Sequence, residues 1–178
     1  VSNSDIGANG NTEALNYRGN THGSVALVNG KWYVFYHRQT NRHFFSRQAC
    51  AEEIYFDGER FHQAEITSCG LNGGPLKGEG FYPAYIACHL FCKETPLIVG
   101  KPGLPRITQD GRDGDEIDGH IDQISDGTVI GFKYFDCKGV KGIRIQTRAY
   151  CSGAFEVRTA WDGETLGEIP VKNTNVWV

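Results

Sequence analysis

The chain has 178 residues, a formal net charge of −3 at pH 7, 23 glycines and an aromatic content of 12%. This charge balance forms no basic stripe, which argues against nucleic acid as a partner. No apolar run approaches the ~20 residues needed to span a membrane. A soluble protein is therefore expected, although the sequence does not distinguish a secreted from a cytoplasmic bacterial one.

The first structured region predicted is a β-hairpin over residues 24–37. Apolar runs at 24–28 and 31–37 flank Asn29 and Gly30. An Asn-Gly pair between two such runs is the strongest short-range hairpin signal, because a type I′ turn needs positive φ at both central residues.

A second hairpin is predicted directly after the first one. Residues 51–56 and 61–66 flank Asp57 and Gly58, another turn pair. Four short antiparallel strands within residues 1–70 match one blade of a β-propeller. Because a blade buries its faces only against neighbouring blades, this segment is expected to be one blade of a larger ring.

Two further segments complete the predicted organisation. Residues 71–105 are rich in glycine and proline and are predicted to form a connecting strap. Residues 106–178 contain apolar or alternating runs at regular spacing, which favour a β-sandwich of the jelly-roll kind, with fewer strands than the usual eight. No convincing helical period is found in any stretch of ten residues. These expected strands cover residues 119–124, 129–135, 142–150, 155–160 and 168–171.

The six cysteines are spaced widely and irregularly. Cys88 and Cys92 lack the matching His or Cys pair that a zinc site needs. Thiols in a reducing environment are expected rather than a disulfide framework.

Three ordered motifs resemble the last blade of a glycoside hydrolase of family 43: GNTHGSVALVNGKWYVFYHRQTN, FSRQACAEEIYFDGERFHQAEITSCGLNGGPL and FYPAYIACHLF. The later stretch IGFKYFDCKGVKGIRIQTRAYCSGAFEVRTAWDGETLGEIPV is similar to the family 6 carbohydrate-binding module. Together the resemblance covers roughly residues 2–178. It implies an all-β protein with part of a five-bladed propeller, about one blade, followed by a carbohydrate-binding β-sandwich.

The resemblance also implies an activity for the parent protein. Family members cleave arabinofuranosyl or xylosyl linkages of arabinoxylan, xylan or arabinan with inversion. Inversion uses a carboxylic acid and a carboxylate about 6.5–9.5 Å apart. The family's acid motifs are absent here, and Asp5 is better explained as part of a turn. This chain alone is therefore expected to be inactive. The alternative is a non-catalytic carbohydrate-binding or interaction module.

By the same resemblance, His22 corresponds to a histidine of the family's central channel, at a calcium or water site. Calcium prefers oxygen ligands, and a hydrogen-bonded loop histidine is the alternative. Asn20 and Thr21 are candidates for contacts to sugar hydroxyls, with turn formation as the alternative. Arg38 could hold sugar hydroxyls or a carboxylate, or pair with glutamate 52 or 53.

Trp161 and Trp177, with Tyr150, are the candidates for stacking on a sugar ring in the sandwich. Buried packing is the alternative for each of them. An acidic loop offers oxygen ligands for a structural calcium ion, or is simply solvated. Its members are Asp113, Asp115, Glu116 and Asp118.

Overall fold

The computed structural model describes residues 22–40, 46–92, 104–109, 111 and 119–178. Within these ranges the chain forms short β-strands and two 3-10 turns and has no α-helix, which confirms the all-β prediction. No described helix has the length and apolar character needed to cross a membrane. The strands are β1 (Gly23–Val28), β2 (Lys31–Gln39), β3 (Arg47–Glu53), β4 (Leu76–Lys77), β5 (His89–Cys92), β6 (Arg106–Thr108), β7 (His120–Asp122), β8 (Thr128–Gly131), β9 (Phe135–Asp136), β10 (Gly153–Val157) and β11 (Gly167–Val171).

The chain divides into two compact units, Val1–Lys138 and Gly139–Val178. In the first unit β4 pairs with β9 and β5 pairs with β8. Strands from both sides of residue 105 are therefore hydrogen-bonded to each other. The division at residues 70 and 105 stays a prediction about the organisation of the parent protein.

The largest sheet of the first unit is the antiparallel order β1-β2-β3. Its first hairpin closes as predicted, with Val28 opposite Lys31 and positive φ at both Asn29 (48°) and Gly30 (80°). The prediction is confirmed because the turn at Asn29 and Gly30 by itself sets which residues of β1 and β2 lie opposite each other.

The predicted fourth strand over residues 61–66 is wrong in its extent. Only Phe61 pairs, as an isolated antiparallel bridge to Phe56. Between them, Asp57 Oδ1 accepts the backbone N–H groups of Glu59 and Arg60, at 2.9 Å each. The side chains that follow turn to contacts with β3 and with residues 133–134, so the backbone leaves the sheet. The propeller blade stays a prediction.

The core of the first unit is small and lies beside β5. Ala87, Leu90 and Ile121 are buried together, and Ile107 and Ile130 pack against them. Cys92 and Leu104 form a second buried pair. This core fixes β5, β7 and β8 relative to one another, while the β1-β2-β3 sheet buries mainly Tyr33, Val34 and Tyr36 of its middle strand.

The second unit is built on the antiparallel pair β10-β11. All of its residues are described, and none of them is buried. The strand predicted over residues 142–150 is not formed. Thr147 exchanges two backbone hydrogen bonds of 2.9 Å with Val178, and the Ala149 carbonyl accepts from the N–H groups of Thr174 and Asn175 at 3.2 and 3.3 Å. These contacts lie at the end of the segment, and a strand needs a neighbour along its length. These small, open sheets are compatible with a β-sandwich.

Replacing Gly30 tests the first turn. A Cβ at Gly30 would meet no atom within 4 Å, so Gly30→Ala suffers only from its φ of +80°. We expect a loss of about 1–2 kcal/mol of unfolding free energy, measured by chemical denaturation. Gly74→Ala is the control, because Gly74 also has open space and no positive φ. Equal stability of the two variants would contradict this explanation of the turn.

Candidate functional site

Position 52 carries a buried carboxylate at the edge of the β1-β2-β3 sheet. Glu52 faces Val34 across the β2-β3 ladder and is 4% exposed. Its Oε1 accepts hydrogen bonds from the Tyr36 hydroxyl (3.1 Å) and the Thr67 N–H (2.8 Å), and its Oε2 accepts one from the Thr67 hydroxyl (2.6 Å). The carboxylate therefore joins β2, β3 and the segment after Phe61.

Burial dominates the electrostatics of this carboxylate. Desolvation raises the pKa of Glu52 to about 7, and the bonds from Thr67 and Tyr36 and the charge of Lys133 oppose this only in part. Burial likewise raises the pKa of Tyr36 well above its ordinary value, with the charges of Cys50 and Glu52 adding to it. A carboxyl with a pKa near neutrality inside a cleft is a candidate for function.

A second carboxylate lies on the same side of the first unit. Glu65 accepts a hydrogen bond from Lys133 Nζ on one oxygen and from the Tyr134 hydroxyl on the other, at 2.6 Å each. Both Glu65 and Lys133 are mostly buried in this ion pair. The pair ties residue 65 to the connection between β8 and β9, across 68 residues of sequence.

These side chains surround an open cleft of about 240 Å³, which we call the acidic cleft. Glu52, Glu53, Glu65, Thr67 and Tyr134 supply its polar groups. On its rim Glu53 pairs with Lys31 Nζ at 2.7 Å, and the same ammonium donates to the carbonyl of Gly73 at 3.2 Å. Each of the three carboxylates thus has partners within the chain, an arrangement suited to holding segments together and to offering hydrogen bonds to a polar ligand.

Arg38 lies in the same sheet. The pair with Glu52 or Glu53, one of the alternatives from the sequence, is not formed. Arg38 is 5% exposed. Its Nε donates to Gln48 Oε1 at 2.9 Å, and its Nη2 donates to the carbonyl of Tyr85 at 3.1 Å. The ladder explains this choice, because Gln48 lies directly opposite Arg38 while Glu52 lies opposite Val34.

The structure leaves the ligand role of His22 open. His22 is exposed, and its ring packs edge-on against His37 with 4.5 Å between the centroids. An imidazole neighbour is not the oxygen ligand that calcium prefers, and no group of three metal-binding side chains occurs among the described residues. The calcium expectation for His22 therefore stays a prediction.

The other predicted site residues are not brought together. Asn20, Thr21 and the acidic loop at 113–118 lie outside the described residues. In the second unit Trp161 is 41% exposed, beside a turn in which the Gly163 N–H donates to the Ala160 carbonyl at 3.2 Å. The Trp177 ring is half-buried and lies 5.0 Å from the Arg148 guanidinium carbon, a cation–π distance. Their sugar-binding roles stay predictions.

The sequence did contain a signal for the acidic cleft. Glu52 shares one face of the strand predicted over residues 51–56 with Ile54, and an acid on an apolar face needs partners if it is buried. The partners themselves, Thr67 and Tyr36, could not be found from spacing.

The chain is similar in sequence to a known protein. The chain is 53% identical over 169 residues to a protein named xylosidase/arabinosidase from Thermoclostridium stercorarium. This match covers 90% of the chain and 36% of that protein, so the chain spans about a third of the length of this curated relative. No family model matches the chain, and no solved structure matches it.

Substitution of Glu52 tests its burial. The pKa of Glu52 is raised in the folded state, so its protonated form is favoured by folding. Its contribution to the free energy of unfolding is therefore fully present below the ordinary pKa of 4.5 and is lost as pH rises to about 7. The loss is expected to be on the order of 3 kcal/mol. His89, whose pKa burial lowers to about 3, titrates with the opposite sign over part of this range. The effect of Glu52 is therefore measured as the difference in unfolding free energy between the unmodified chain and Glu52→Gln, which is neutral at position 52 at every pH, by urea denaturation between pH 4 and 8. This difference is expected to fall by the amount given as pH rises.

Glu53→Gln is the matched control for that series. Glu53 is half-exposed and paired with Lys31, so its removal is expected to change stability by less than ~1 kcal/mol at every pH tested. A difference between the unmodified chain and Glu52→Gln that does not change with pH would contradict the assignment.

Proposed function

We propose that this chain is the C-terminal part of a glycoside hydrolase that cleaves arabinofuranosyl or xylosyl linkages in hemicellulose. The observation that carries the proposal is the 53% identity, over 90% of the chain, to a protein named xylosidase/arabinosidase. The substrate class is plant cell-wall polysaccharide or its oligosaccharides, such as arabinoxylan, xylan or arabinan. The mechanism proposed is the inverting one of family 43.

The catalytic acids are proposed to lie outside this chain. An inverting enzyme needs one carboxylic acid to protonate the leaving oxygen and one carboxylate to activate water. In the acidic cleft Glu52, Glu53 and Glu65 are engaged by Thr67, Lys31 and Lys133 respectively. The partners of Glu52 and Glu65 come from other segments of the chain and are mostly buried, which supports a structural role for these two carboxylates.

A second candidate function is a non-catalytic carbohydrate-binding module. It is favoured by the exposed aromatic rings, among them Tyr55 (70%), Tyr150 (66%) and Trp161 (41%). Large apolar groups that remain in water often mark a binding surface. The two candidates differ in one measurable respect. If the protein is only a binding module, neither the 178-residue chain nor the complete gene product hydrolyses a glycoside.

Hydrolysis of p-nitrophenyl α-L-arabinofuranoside and β-D-xyloside distinguishes them. We expect no release of nitrophenol by the 178-residue chain, and turnover by the product of the complete reading frame of the source gene, since that product would supply the acids. Product configuration is read by proton NMR in the first minutes, and inversion is expected.

Two outcomes would contradict the proposal. Turnover by the 178-residue chain alone would place the acids within it, and Glu52→Gln and Glu65→Gln would then identify the carboxylate that acts. A complete product that cleaves neither substrate would favour the binding module instead. Retention of configuration would overturn the inverting mechanism while leaving the hydrolase.

A further inference from the structure

A group of aromatic side chains covers the end of the β1-β2-β3 sheet beside the 57–60 loop. We call it the aromatic corner, and its members are Trp32, Tyr55, Phe56 and Phe61. The Trp32 ring lies edge-on to Phe56 and Phe61, with centroid distances of 6.1 Å and 5.2 Å. Phe56 and Phe61 are themselves 4.8 Å apart. These contacts make a rigid aromatic base at the surface.

Tyr55 lines the same cleft as Trp32 and Phe56. It is 70% exposed, and its ring is 5.3 Å from the His62 ring. The backbone on which it stands is fixed, because the His62 N–H donates to the Tyr55 carbonyl at 2.9 Å. A large aromatic face is thus held in water by an ordered backbone, with one neighbour to orient it.

Two polar pairs lie near the exposed ring. The Lys31–Glu53 ion pair, 2.7 Å long and half-exposed, lines the same cleft as Tyr55. The His62 ring, which neighbours the Tyr55 ring, has its Nε2 2.6 Å from Asp57 Oδ2. The N–H groups of Arg60 and Glu59, and then His62, hold the pKa of Asp57 at about 2, so this carboxylate stays an acceptor.

A cleft of about 450 Å³ opens between the ring and the first hairpin turn. Gly30, Lys31, Trp32, Glu53, Ile54, Tyr55 and Phe56 line it. Its size is in the range of small-molecule sites, ~300–1,000 Å³. It is distinct from the acidic cleft, although Glu53 contributes to the rim of both.

An aromatic face with charged and hydrogen-bonding neighbours matches the chemistry of a saccharide. The C–H face of a sugar ring stacks on an aromatic ring, and its hydroxyls accept from an ammonium or imidazole and donate to carboxylates. A purely apolar partner would leave Lys31, Glu53 and Asp57 without solvent, which is unfavourable. A xylopyranose ring carries no exocyclic hydroxymethyl group beside its stacking face.

We propose that the aromatic corner is a binding site for pentose oligosaccharides, in which Tyr55 stacks on a sugar ring and Lys31, Glu53, Asp57 and His62 bind its hydroxyls. The choice of pentoses rests on the proposed function. The site holds the polysaccharide and carries no chemistry, since its carboxylates are already paired with Lys31 and His62.

Calorimetric titration of the 178-residue chain with xylotetraose and with an arabinoxylan oligosaccharide tests the site. We expect measurable binding that Tyr55→Ala weakens by about tenfold, the effect of one lost ring contact. Tyr55→Phe keeps the ring and is expected to bind within about twofold of the unmodified chain. An exposed residue is tolerant of change, so both variants are expected to keep the thermal midpoint.

A matched control makes the result specific. Phe81→Ala removes another exposed ring, 81% exposed, that is not part of the aromatic corner. It is expected to bind like the unmodified chain. Unchanged binding by Tyr55→Ala, an equal loss in Phe81→Ala, or no binding by the unmodified chain would overturn the site.

The site and the proposed function fail in different ways. Absent binding together with cleavage of pentosides by the complete gene product overturns the site alone. Tyr55-dependent binding together with a complete product that cleaves neither pentoside overturns the hydrolase and leaves the site standing. Tyr55-dependent binding of cellotetraose in preference to xylotetraose would overturn the assignment to pentoses.

Discussion

The first unit depends on a carboxylate that is buried where three segments meet. Glu52 loses water on folding, and three hydrogen bonds from Tyr36 and Thr67 replace it. Burying a carboxyl without partners is far more costly than burying it with them, so the segment after Phe61 has to stay close to β3. Because that segment also carries Glu65, the Lys133 pair and the connection between β8 and β9 are positioned as well.

Local chemistry accounts for what the sequence predicted correctly. The Asn29-Gly30 turn needs only two adjacent residues to set its dihedral angles, and the strand register follows from it. The strands expected at 61–66 and 142–150 fail for the opposite reason. Their composition is typical of a strand. An extended segment becomes a strand only if a neighbouring segment pairs with its backbone, and composition does not predict which segment that is.

The partners of the carboxylates in the acidic cleft were beyond prediction for a related reason. The contacts of this cleft join residues 15 apart, as in Glu52 and Thr67, or 68 apart, as in Glu65 and Lys133. Arg38 illustrates the difficulty, since the sequence places it near β3 correctly but assigns it a glutamate partner. One residue of strand register decides which side chains face each other, and the register puts Gln48 opposite Arg38.

The two clefts show opposite uses of polar side chains. In the acidic cleft the partners of Glu52 and Glu65 come from distant segments, so their loss would separate those segments. In the aromatic corner the pairs are local or exposed, as in His62 and Asp57, five residues apart, and Lys31 and Glu53, which are half-exposed. Exposed pairs contribute little to stability, so they can exchange partners with a ligand at little cost. Ligand binding is therefore expected at the aromatic corner, where the polar side chains contribute little to folding stability. It is not expected in the acidic cleft, because the fold depends on the contacts made there.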